Sequence, residues 1–161
     1  MTQIEKFRKV MIEGMKENFE TTGYLVPIAF FLLKIDNEYQ PHFMEINGKF
    51  LSNSEYKKDL ASKITEICQN PMVLAAGVLT EAYGVRIPTD SELIDKVTSS
   101  ELSISQLDEK EELIVMTFST PVKQEIIAYV VDANNKTIGE QYSQVDNFEG
   151  VFSGFFGWNR N

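Results

Sequence analysis

Apolar side chains recur every three or four residues at the start of the chain, at Ile4, Phe7, Met11, Met15 and Phe19. That spacing puts them on one stripe of a helix over 3–20. Thr2 and Glu5 have the separation of a capping box, in which hydroxyl and carboxylate each accept from the other residue's amide. Gly23, after Thr21 and Thr22, supplies the left-handed residue that ends a helix. The pattern then changes. Residues 25–34 are nearly all apolar and bounded by turn residues, which predicts a strand buried on both faces. Pro27 cannot donate to a ladder, so it belongs at the start of that strand or at a bulge. Asp36-Asn37-Glu38 is turn chemistry, and residues 39–46 return as the second strand of a hairpin.

Helical spacing reappears at Tyr56, Leu60, Ile64, Ile67 and Cys68. Ser52 is the predicted N-cap, with Glu55 as its capping-box partner and Leu51 and Tyr56 as a hydrophobic staple. Asn70-Pro71 ends the helix. The run 72–83 reads as a central strand, although its 12 residues would also suit a buried helix. Two further apolar runs, 113–119 and 125–131, flank a turn containing Pro121, and a shorter strand follows near 137–142. The expected fold is α+β: one domain over 1–161, with two main helices and a single sheet of five or six strands, antiparallel or mixed. The expected order is α-ββ-α-β-(loop)-βββ, since amphipathic helices need a sheet face to cover.

Composition adds two features to that outline. Between residues 88 and 112 the chain carries eight acidic residues against two lysines, with serines at 99, 100, 103 and 105. Little apolar area is left there to offset ordering entropy, so 88–110 is expected to be a mobile acidic loop. Near the end, Phe148, Phe152, Phe155, Phe156 and Trp158 alternate with glycines. Such a tail either packs on the sheet or forms an exposed aromatic patch. Sheet packing is the favoured reading, with dimerisation second. As a partner surface the patch would offer Phe152, Phe155, Phe156 and Trp158.

Charge and rare residues narrow the function classes. The 161 residues carry a net charge of −9 without a segregated basic patch, which argues against nucleic acid as a partner. The longest uncharged stretch, 67–80, is 14 residues, short of the roughly 20 that a spanning helix needs. Charged residues at 5, 6, 8 and 9 do not resemble a secretory leader, so the expected location is cytoplasmic. A single cysteine and a single histidine exclude an internal disulfide framework and the usual zinc sites, and no cofactor or metal is expected.

Few residues are left to carry chemistry. His42 carries the one imidazole, a side chain able to serve as an acid–base group, but lies mid-strand without an adjacent nucleophile. Cys68 falls on the apolar face of the second helix near its C-terminus, where a thiol behaves as a small hydrophobe. Glu81 follows 14 uncharged residues within an expected buried strand, so its carboxylate must turn outward, find a base or titrate abnormally. With Glu45, near the end of the first hairpin, it could do acid–base work or hold magnesium. The glycines at 150, 154 and 157 lack the lysine and the strand–helix context of a phosphate loop.

Several segments carry a resemblance. Val26-Pro27-Ile28-Ala29-Phe30, Leu79-Thr80-Glu81-Ala82-Tyr83 and Gly150-Val151-Phe152-Ser153-Gly154 resemble a family of small bacterial and phage-associated α+β proteins. In that family one strand ends in Ser-Glu-Ala-Trp; here Thr and Tyr replace Ser and Trp. The resemblance implies no activity and draws attention to Glu81. The order of elements is also similar to profilin-like and roadblock-like domains, which would imply a homodimer. The expected function is that of a small binding or regulatory protein acting through protein contacts, encoded by a phage or mobile element. The rival is a carboxylate-dependent enzyme using Glu81 and Glu45.

Overall fold

In the computed structural model, which describes residues 1–84, 110–145, 152 and 154–156, six antiparallel strands form one sheet with a helix on each face. Helix α1 (Gln3–Thr22) leads into β1 (Ile28–Ile35) and β2 (Glu38–Glu45). A single 3-10 turn (Gly48–Phe50) precedes α2 (Ser54–Cys68). Strands β3 (Val73–Gly84), β4 (Glu111–Ser119), β5 (Gln124–Asp132) and β6 (Thr137–Val145) follow. The order across the sheet is β2-β1-β3-β4-β5-β6. Chain neighbours therefore pair, except where α2 carries the chain past β1 to pair β3 on its far side. The α+β class, the two helices and the order of elements are as the sequence predicts. The run read as 72–83 forms strand β3, which spans Val73–Gly84.

Local chemistry accounts for the ends of these elements. The Thr2–Glu5 capping box is formed, and α1 continues through Thr21 and Thr22, whose hydroxyls donate to the carbonyls of Glu17 and Asn18. Gly23 ends it at φ +79°. An added Cβ there would stand 3.0 Å from the Ala133 carbonyl oxygen, so glycine is required for both its dihedral and its space. The α2 cap is one residue later than expected. Asn53, not Ser52, accepts the Tyr56 amide, because an asparagine side chain in extended backbone reaches the third helical N–H. Asp36 and Asn37 both have positive φ, the two-residue turn whose twist matches a hairpin. Pro27 sits just before β1, as expected, where its carbonyl accepts the Ile46 amide. Alternation from that bond puts Pro41 at a non-hydrogen-bonded pair with Leu32, so its missing donor lies on the open side of the edge strand.

The two faces of the sheet bury different sets. On one face the α1 stripe Phe7, Met11, Met15 and Phe19 packs on Phe30, Ile114, Met116, Phe118 and Ile127. One register row there runs Phe43, Phe30, Gly77, Phe118, Glu125. A Cβ at Gly77 would lie 2.0 Å from the Thr117 carbonyl oxygen and 2.3 Å from Phe30 Cζ. Glycine there lets the Phe30 ring lie in the row, 6.0 Å from Phe118 and 5.7 Å from Phe7. At the margin, Arg8 makes a two-pronged ion pair with the buried Glu125 carboxylate. On the other face Leu60, Ile64 and Cys68 of α2 pack on Ala29, Phe31, Ala76 and Val78, together with Phe155.

The proposed loop 88–110 lies, apart from Lys110, outside the described residues, as do Phe148 and Trp158. Of the tail candidates, Phe155 is fully buried, while Phe152 and Phe156 are half-buried against the same cluster. Packing on the sheet therefore holds for Phe155, and its ring cannot meet a partner while it stays in this core.

Candidate functional site

A concavity opens where α1 ends, β3 finishes and β4 begins. Its volume is about 430 Å³. The floor is apolar, built by Phe19, Leu25, Leu113 and Val131, and the walls carry Tyr24, Tyr83, Glu81 and Glu112. Register explains the grouping. Tyr83 pairs with Glu112, which pairs with Val131, and Glu81 lies one pleat back on the same side as Tyr83. The turn at Gly23 brings Tyr24 and Leu25 against this row. Both tyrosines are half in solvent, Tyr24 at 57% and Tyr83 at 48% exposure.

Glu81 is solvent-exposed, the outward alternative of the three its sequence context allowed. One carboxylate oxygen accepts the Leu25 amide at 2.6 Å, tying the connection after α1 to the central strand. The Glu112 carboxylate makes no hydrogen bond or ion pair with any described residue. Lys110 places its ammonium 5.3 Å from the centre of the Tyr83 ring, and the Lys136 side chain lies behind Gly23. The cleft thus combines an apolar floor, two aromatic rims, two carboxylates and two cations at its border.

The other candidates do not converge on it. Glu45 points to the same face as Glu81 and lies near the same end of the sheet, in the row Glu45, Ile28, Leu79, but β1 stands between it and β3. Two strand spacings alone separate their backbones by about 10 Å. His42 pairs with Phe31, so it faces the α2 side, opposite both glutamates, and is exposed. Among the described residues no three His, Cys, Asp or Glu side chains are gathered so as to hold a metal ion. Burial drives the Cys68 thiol up to about 12, so its thiolate is scarce at neutral pH. No described helix is long and apolar enough to cross a membrane.

Sequence reasoning reached Glu81 but missed Tyr24 and Glu112 as its neighbours. The available signal for Tyr24 was an aromatic residue placed directly after a helix-ending glycine. Glu112 could be reached only through the β3–β4 register. Comparison with known proteins adds no relative: no family model, curated protein or solved structure matches the chain.

Proposed function

We propose that this is a small binding and regulatory protein that acts through contact with another protein, received in the cleft between Tyr24 and Tyr83. The supporting observation is the pair of half-exposed tyrosines on the rim of a concave, apolar-floored site. Tyrosine presents a large, stiff surface with a polar tip, the kind of side chain enriched where partners bind. Under this reading Glu81 is a structural acceptor that holds one wall in place, and the free Glu112 carboxylate orients the partner.

A photo-cross-linking amino acid in place of Tyr83 tests the reading. A discrete adduct formed in cells, and lost when Tyr24→Ser is added, supports it. An adduct unaffected by Tyr24→Ser would place the contact elsewhere. The enzyme reading makes a different demand: divalent-ion binding by calorimetry that Glu81→Gln abolishes. The proposal also carries a cytoplasmic location and a phage or mobile-element origin. Fractionation tests the first and the neighbouring genes test the second.

A further inference from the structure

We propose that the flank of α1 facing the β1–β2 end of the sheet is a dimer interface, on which a second copy docks its own α1 antiparallel about a two-fold axis. In that arrangement Val10 of each chain seats on the partner's Gly14. Gly14 is exposed on this flank. It lies mid-helix, where glycine costs about 1 kcal/mol relative to alanine. Yet a Cβ placed there meets no described residue within 4 Å. No contact with a described residue requires the missing side chain, whereas Gly77 and Gly23 each have such a contact. A hollow on an exposed helix face suits close approach by another element.

The surroundings of Gly14 are those of an uncovered interface. Val10 is 62% exposed, Val26 47% and Phe43 58%. Val10, Gly14, Val26 and Ile28 border a groove of about 290 Å³, with Phe43 on the same face of the adjoining strand. The charges on this flank are self-complementary. Lys6, Val10 and Gly14 form one row at spacings of four, and Glu17 stands at its far end. A two-fold axis midway between Val10 and Gly14 pairs position 6 with position 18 of the other chain. Lys6 then comes beside the partner's Glu17, and Glu17 beside the partner's Lys6. Neither residue has an ion pair among the described residues. Lys9 and Glu13, the neighbouring charges, already pair within the helix at 3.9 Å. Two chains of net charge −9 repel at long range, so a contact between copies needs a surface of this kind, apolar in the middle and matched in sign at both ends.

The inference does not depend on the cleft, and Tyr24 or Tyr83 variants should leave association unchanged. Sedimentation equilibrium of the full chain, over about 1–100 μM, should show a monomer–dimer equilibrium. Gly14→Gln fills the hollow with a good helix former. It should weaken the dimer at least about tenfold while the helical circular dichroism and melting temperature are kept or raised. Lys6→Glu and Glu17→Lys should each weaken self-association, and an equimolar mixture of the two variants should recover it as a heterodimer. A monomeric wild type across that range overturns the proposal. So does a Gly14→Gln protein that dimerises as tightly as wild type, or a mixture of the charge variants that stays monomeric.

Discussion

The two faces of the sheet are closed in different ways. The α1 face is covered by one 20-residue helix that precedes every strand, and its margin is fastened by the Arg8–Glu125 pair. The α2 face is covered by a shorter helix of 15 residues and completed by Phe155, which enters the core from the far end of the chain. The buried Gln124 side chain holds that segment by accepting the Gly154 amide at 3.0 Å. One helix stripe was sufficient to specify the first face. The second needed a contact more than 80 residues distant from α2, and distant contacts leave no periodic trace in the sequence.

Substitution should break these faces unequally. The largest effect belongs to Gly77→Val, since the new side chain would overlap both a backbone oxygen and the Phe30 ring. A loss above about 4 kcal/mol is expected, read as failure to give a cooperative denaturant transition in water, and a folded variant would show that the β3–β4 spacing can relax. Phe155→Ala should cost about 3–4 kcal/mol by urea unfolding, because it empties the α2-face core of its one fully buried ring among the described tail residues. A loss under about 1 kcal/mol would mean that α2 closes its face alone and that the two faces are built alike.

Arg8→Met tests the margin of the other face. It leaves the Glu125 carboxylate buried without its cation, at a cost of about 2 kcal/mol, reduced from the fully buried case because Arg8 is 37% exposed. Adding Glu125→Leu should recover part of that loss, whereas an unchanged double variant would assign the effect to lost packing. The smallest effect is a pH dependence confined to the α2 face. The Cys68 thiol is held protonated up to about 12 in the folded chain, against an ordinary value of 9.0. Its contribution is therefore present in full below pH 9 and is lost as the pH rises from there toward 12. Over the first pH unit above 9 the loss is on the order of 1 kcal/mol, the smallest of these effects. Cys68→Ala should flatten the stability profile in that window relative to wild type, and parallel profiles would exclude the thiol as the source.

What could be read from the residues alone was everything with a short period or a local cap. The α1 stripe, the Thr2–Glu5 box, the Gly23 stop and the Asp36-Asn37 turn all follow from contacts within about four residues, and the apolar run 72–83 favoured a strand over a buried helix. The α2 cap was legible only to within one residue, because Ser52 and Asn53 are both good caps and backbone geometry chose the second. Tertiary structure decided the rest. The crossover of α2 placed β1 between β2 and β3, which parted Glu45 from Glu81. The β3–β4 register brought Tyr83 to Glu112, and the turn at Gly23 brought Tyr24 to both. Side chains from distant segments meet only once strands are paired, and pairing is set by burial summed over the whole sheet, which no local window of sequence contains.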